Sequence, residues 1–268
     1  METSTASPSS TVTVKRKPRE VTCEVRSFKM LTESVFELGF APLEPVEFDA
    51  GQFFSIVIPG AGPNGRDLRR AYSIASSPEK SPIELCVKLV EGGPGTNFLF
   101  KLRPGDRFKC FAPYGDFLFR PKAGRNACFI ATGTGIAPFR SMVGAEVFQK
   151  NKPPRSWCLL GVREEGELLY MDEFPALGVE WVPTVSRPDA DGRWKGFKGR
   201  VTDWLRAQGG AFPWLETEFY MCGNGAMIDE VKALLLEKGV QKTSIHQEIY
   251  YKTPKDAAAA PAAPASSE

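Results

Sequence analysis

Histidine is almost missing from this sequence: His246 is the single one in 268 residues. That shortage excludes a multi-histidine metal centre and argues against a serine–histidine–aspartate hydrolase. Clustered cysteine is missing too. Cys23, Cys86, Cys110, Cys128, Cys158 and Cys222 include no Cys-x-x-Cys pair, so no zinc or iron–sulfur site is expected and the metal expectation is none. Most of them lie in apolar or strand-like runs and read as reduced core residues, which makes a cytoplasmic location the default expectation. No apolar run reaches the ~18 residues of a membrane span. The chain opens Met1-Glu2-Thr3-Ser4 without an apolar core, so no secretory signal is expected. Charge of one sign is also lacking. Lys and Arg number 34 against 32 Asp and Glu, a formal +2, too near balance for nucleic acid as the main partner.

What is present fits a soluble chain of two domains, with 42% hydrophobic and 25% charged residues. Residues 1–18 are rich in Ser, Thr and Pro, end in the basic run Lys15-Arg16-Lys17 and read as a disordered arm. Residues 252–268 are Ala- and Pro-rich and read as a flexible tail. From 19 to 122 the texture is short β-rich runs broken by Gly, Pro and acidic turns. Strands are expected near 21–28, 34–40, 52–58, 69–75, 83–90 and 107–111, a spacing that suggests an antiparallel barrel. From 123 to 251 apolar β runs alternate with helical stretches, which indicates a doubly wound parallel sheet of α/β type. Its strands are expected near 127–132, 157–162, 179–186, 218–222 and 243–249. Helices are expected from the 133–138 turn to about Lys150, over 201–208, and over 226–238 with Gly239 closing the last.

The chain is organised around Arg70-Ala71-Tyr72-Ser73. On a strand Arg70 and Tyr72 share one face and Ser73 takes the other. A guanidinium can clamp phosphate, a phenol ring can lie on a conjugated system, and a hydroxyl can meet a heteroatom at its edge. That is the inventory for holding a flavin. Alone, the stretch reads as an ordinary strand; its weight comes from the glycine-rich segments further along the chain. Gly92-Gly93-Pro94-Gly95-Thr96-Asn97 precedes a short helix with Thr96 as the expected N-cap, and a helix N-terminus suits an anion. A plain glycine-rich connector explains that stretch as well by itself. Beside Arg70 and Tyr72, diphosphate binding is the better reading.

Thr132-Gly133-Thr134-Gly135 follows a strand and opens a helix whose first turn tolerates Pro138, the context in which backbone approaches a diphosphate closely. Met221-Cys222-Gly223-Asn224-Gly225 has the same setting at the carboxyl end of the sheet. Cys222 taken alone reads as a buried strand-end cysteine. Ser186-Arg187 ends the third sheet strand, where a hydroxyl and a guanidinium suit a 2′-phosphate. Arg193, Lys195, Lys198 and Arg200 follow closely and could share that charge, or form a solvated basic loop.

In this order the elements resemble the ferredoxin–NADP reductase family over roughly Glu20 to Tyr251. The resemblance implies an antiparallel FAD-binding β-barrel followed by a doubly wound parallel-sheet NAD(P)-binding domain. It implies that Tyr72 stacks on the isoalloxazine, Arg70 contacts the diphosphate and Ser73 approaches flavin N5. Gly93 to Thr96, with Lys88 on the preceding strand, corresponds to the family's phosphate segment, and Gly133, Gly135 and Pro138 to its NAD(P) diphosphate loop. Cys222 and Gly223 correspond to its Cys-Gly motif beside the nicotinamide. Glu248-Ile249-Tyr250 corresponds to its C-terminal Glu-x-aromatic element, with Tyr250, Tyr251 or another group as the aromatic cover. Ser73, Cys222 and Glu248 are thus the side chains expected nearest the hydride transfer. The implied cofactors are FAD and NADP, and the implied partner is a separate carrier, ferredoxin or flavodoxin. Arg66 and Arg69, with Lys15, Arg16 and Lys17, are candidates for its docking. The alternatives are an NADH-dependent reductase of cytochrome b5 reductase type or an oxygenase-partner reductase, and a flavin-binding module without turnover.

Overall fold

The computed structural model describes residues 16–190 and 192–251. Lys15, most of the expected arm and the expected tail lie outside the described residues.

Six antiparallel strands form the first half: β1 (Arg19–Met30), β2 (Val35–Pro42), β3 (Phe53–Ile58), β4 (Leu68–Ser73), β5 (Ile83–Lys88) and β6 (Arg107–Tyr114). Their order is β4-β3-β6-β1-β2-β5, and the Ile74–Leu85 bridge joins the two edges. The alternation in β3 explains the closure, because Phe54 and Ile56 turn inward into the core with Phe40 and Phe108. A short helix, α1 (Pro94–Lys101), sends the fully buried Leu99 into this core. Its N-cap is Gly93, not Thr96, because Pro94 occupies the first helical turn and fixes where the helix starts. The Thr96 hydroxyl instead donates to the Val90 and Gly93 carbonyls at 3.3 and 3.2 Å.

The second half is a parallel sheet of β7 (Asn126–Thr132), β8 (Ser156–Val162), β9 (Glu180–Val185), β10 (Phe197–Lys198), β11 (Thr217–Asn224) and β12 (Ile245–Tyr251). The order β10-β9-β8-β7-β11-β12 reverses direction between β7 and β11, the switch point where such sheets bind ligands. Alternation along β7 builds two cores. Ala127, Phe129 and Ala131 face one side, while Cys128 and Ile130 face helices α5 (Val201–Ala207) and α6 (Gly225–Glu237). Asn224 caps α6 through Ala226 N–H at 2.9 Å, and Gly239 follows it at φ +80°.

The helix expected to run on to Lys150 is broken. α2 (Ala137–Gly144) stops, Ala145 is extended, and α3 (Glu146–Lys150) resumes. The break lets Gly144 lie against Ser77 and Glu146 N–H bond the Glu79 carboxylate of the first half at 3.2 Å. A short helix, α4 (Glu173–Ala176), precedes β9. Among the described residues no helix is long and apolar enough to cross a membrane.

The two halves share a core, since Val35, Ala50, Ala75 and Cys86 of the barrel pack into the cluster on one face of the parallel sheet. At its rim Arg140 of α2 is buried among carboxylates. Its guanidinium bonds Glu84 at 2.6 Å and Glu173 at 2.7 and 3.1 Å, lies 3.4 Å from Glu37, and sits 4.3 Å above the Tyr170 ring. Burial opposes the charge, but the bonds to Glu173 and Glu84 outweigh it and raise the guanidinium above its ordinary value. Burial likewise pushes the Glu37 carboxyl up, against the pull of Arg140. Removing the cation leaves three carboxylates close together without their shared guanidinium, with only Lys80 still on Glu84 and the Tyr170 hydroxyl on Glu37. Arg140→Leu should therefore cost about 3–5 kcal/mol in urea unfolding; a change within experimental error would show that the carboxylates do not depend on it.

Candidate active site

Two cavities open along the junction. The first, about 570 Å³, is walled by the Arg70–Ser73 strand, the end of β5 from Cys86 to Lys88, the Gly93–Thr96 turn and Glu248–Tyr250 of β12. The four residues picked out first in the sequence thus lie together at one cavity. The Arg70 stem and the Tyr72 hydroxyl press on Gly95, where a Cβ would collide with both. Glycine at 95 is required for the helix to come this close to the strand. The exposed Arg70 guanidinium donates to the Arg69 carbonyl at 2.9 Å.

Ser73 reaches across the junction, and its hydroxyl donates to Glu248 Oε2 at 3.2 Å. Burial pushes the Glu248 carboxyl up to about 7, only partly offset by that bond. The acid therefore exchanges its proton near neutrality. The Tyr250 hydroxyl sits in the same cluster; burial, then Cys222 and Glu248, raise it well above its usual value.

Cys222 is the buried strand-end cysteine that it reads as when taken alone. It is fully buried between β7 and β12 and does not line either cavity, because its strand is interior to the sheet. Burial, followed by the nearby Glu248, lifts its thiol well above the ordinary range, and it touches the cavity wall through Tyr250.

The second cavity, about 470 Å³, runs along the carboxyl edge of the parallel sheet. Thr132, Gly133, Ser186, Arg200 and Gly223 line it, joined by Thr134, Arg163, Thr202 and Asn224. Lys88 and Thr134 line both cavities, so the two spaces meet. A side pocket of about 380 Å³ gathers Arg163, Ser186, Arg187 and Arg200, with Asp203 as its acid.

Several features of these walls fit bound nucleotides. Gly133 stands at φ +51° with nothing within 4 Å of where a Cβ would be, so its backbone faces open space. The Thr202 hydroxyl is buried in the wall of the second cavity without a hydrogen-bond partner, the kind of group a ligand satisfies. Three arginines around one pocket suit a phosphate.

Other expected residues have different duties. Gly135 is glycine because a Cβ would strike the Cys222 carbonyl, so it serves the β7–β11 crossing and does not line a cavity. Pro138 is buried in the first turn of α2, and Arg193 is exposed away from the cavities. Arg69 belongs to β4 itself and lies 3.5 Å over the Phe111 ring. Arg16 is tied to Glu47 and Asp49, which removes it from a mobile arm. Arg66 is exposed just after the Pro63–Gly65 turn. Arg163 was missed by sequence reasoning although it follows a strand end as Ser186 does; the same strand-end rule would have found it.

Comparison with known proteins agrees with both halves. Residues 22–119 match the model of an oxidoreductase FAD-binding domain and residues 129–233 that of an oxidoreductase NAD-binding domain. The chain is 35% identical over 231 residues to ferredoxin–NADP reductase B of Sorangium cellulosum, covering 82% of this chain and 93% of that protein. It is 32% identical over 215 residues to the reductase component of phenol 2-monooxygenase from a Pseudomonas species, covering 77% of this chain and 59% of that protein. Among solved structures, the cytochrome P450 reductase from Amycolatopsis superposes with a TM-score of 0.77 at 26% identity, over 89% of this chain and 72% of that one. The ferredoxin NADP+ reductase from Neisseria gonorrhoeae, solved with FAD and NADP, has the same fold, with a TM-score of 0.73 at 23% identity over 88% of this chain and all of that one. With its barrel, its parallel sheet and these relatives, the chain belongs to the ferredoxin–NADP reductase family and is an oxidoreductase that uses FAD and a nicotinamide nucleotide.

Proposed function

We propose that this enzyme oxidises NADPH and delivers the electrons singly to a separate ferredoxin or flavodoxin. Residues 19–122 hold FAD, and residues 123–251 hold the nucleotide. The observation that carries this reading is the meeting of the two cavities at Lys88 and Thr134, beside the Ser73–Glu248 bond. When bound, the flavin accepts a hydride from the nicotinamide and releases electrons one at a time.

The chain's own groups have separable tasks. Arg70 and the first turn of α1 hold phosphate, and Tyr72 supplies an aromatic surface. The backbone at Gly133 and the hydroxyl of Thr202 meet the nucleotide. Ser73 orients Glu248, which holds a proton near neutrality at the junction. Tyr250 and the buried Cys222 close the cavity behind it and exclude water. Arg66, exposed near the flavin strand, offers positive charge to an acidic carrier.

NADPH is favoured over NADH by the side pocket of Arg163, Ser186, Arg187 and Arg200. Steady-state reduction of a ferredoxin tests both parts of the reading. Wild type should prefer NADPH, and Arg187→Ala should lower kcat/KM for NADPH by about ten- to a hundredfold, the worth of a charge-assisted bond, with NADH use almost unchanged. Equal losses would make Arg187 structural. A wild type that prefers NADH and reduces no ferredoxin would favour a reductase serving an oxygenase, as the phenol monooxygenase relative does.

Glu248 gives a pH test. Its carboxyl is protonated below about 7 and ionised above. NADPH oxidation with one-electron delivery releases a proton, which Glu248 can accept only when ionised, so turnover should rise as pH rises through about 7, and Glu248→Gln should flatten that limb while lowering the plateau. A limb that survives in the variant would assign the titration to another group.

A further inference from the structure

The acid Glu167 stands in the wall of the second cavity, a space otherwise suited to anions. One of its oxygens, Oε2, accepts from the Arg163 and Glu164 N–H groups at 2.9 and 3.4 Å, fixing the turn it belongs to. The other, Oε1, lies 3.3 Å from Lys88 Nζ. This contact joins the halves, since Lys88 ends β5 of the barrel and Glu167 follows β8 of the parallel sheet. Lys88 is also the cation that lines both cavities. Burial works against the Glu167 charge, yet the Arg163 N–H and Lys88 hold its carboxyl below the usual range. The other acid in this wall, Glu230, is engaged by Arg206 at 3.1 Å and Arg200 at 3.8 Å. Glu167 thus presents a fixed negative charge, already bound to the cation at the meeting point of the cavities.

We propose that Glu167 is an internal competitor for Lys88, a latch across the junction that the diphosphate of the nicotinamide nucleotide must displace. The inference rests on the proposed nucleotide cavity and adds the residue that sets affinity there. With no nucleotide, the pair keeps Lys88 ordered. When a diphosphate enters, Lys88 turns to it, and Glu167 remains on its two N–H donors as a nearby like charge. Binding is weakened by both effects, so Glu167 tunes KM and product release and not the hydride step. The placement of Glu167 in the second cavity alone favours the nicotinamide nucleotide over FAD as the displacing anion.

The test is calorimetric titration of the FAD-loaded enzyme with NADP+, using wild type, Glu167→Gln, Lys88→Gln and the double variant. Glutamine keeps an oxygen for the Arg163 N–H and removes only the charge. Glu167→Gln should tighten NADP+ binding by about two- to fivefold, the range of a single screened charge contact, and lower KM more than it changes kcat. In the Lys88→Gln background the same change should give a clearly smaller gain, because no cation is left to release. Unchanged or weaker binding in Glu167→Gln, or an equal gain with and without Lys88, overturns the latch. In a second arm, the apoprotein is titrated with FAD; a gain confined to FAD would overturn the assignment of the displacing anion. A wild type that binds no nicotinamide nucleotide would instead refute the proposed function itself.

Discussion

The arrangement depends on how one buried cation holds two sheets together. Arg140 projects from α2 of the parallel-sheet half and is met by Glu84 and Glu37 of the barrel and by Glu173 before β9. A buried guanidinium is tolerated only when its donors are met, and here both faces of the junction meet them. Next to it, Ser141 donates to the Ser76 carbonyl at 2.7 Å. Tyr170, which stacks on the guanidinium, adopts φ +55° and donates to Glu37 at 3.1 Å. Because α2 begins right after the Gly133–Ile136 turn, fixing this helix against the barrel also fixes that turn beside the first cavity.

The junction then holds two carboxyl groups with opposite tendencies. Glu248 is half-buried with a single hydroxyl donor, and its proton is held to about 7. Glu167 has two backbone N–H donors and a lysine, and it stays ionised below the usual carboxylate range. Environment alone separates an acid suited to holding a proton from one suited to holding a cation.

Much of this was legible in the residues. The strand alternation, the glycine-rich turns after strands and the carboxyl-edge rule located the barrel, the parallel sheet and most of the walls of both cavities. What escaped depends on contacts between distant segments. Arg140 sits in the run Ala137-Pro138-Phe139-Arg140-Ser141, and nothing local signals that Glu37, Glu84 and Glu173 converge on it. Thr96 has the right residue type for an N-cap, but Pro94 starts the helix three residues earlier than that cap would. Gly135 resembles a ligand-loop glycine, yet the carbonyl of Cys222, 87 positions further on, is what demands it. Arg69 is exposed on β4, and no local signal shows that its guanidinium lies over the Phe111 ring of β6.

The central claim is that the two cavities are one reaction space. Its most direct measurement is an anaerobic rapid-mixing experiment without any acceptor, following the flavin colour after one equivalent of NADPH is added. The account predicts a yellow protein whose absorbance bleaches fully in a single turnover. A protein that binds FAD in the barrel and NADP+ in the parallel-sheet half, but whose colour persists with either reduced nucleotide, would contradict it.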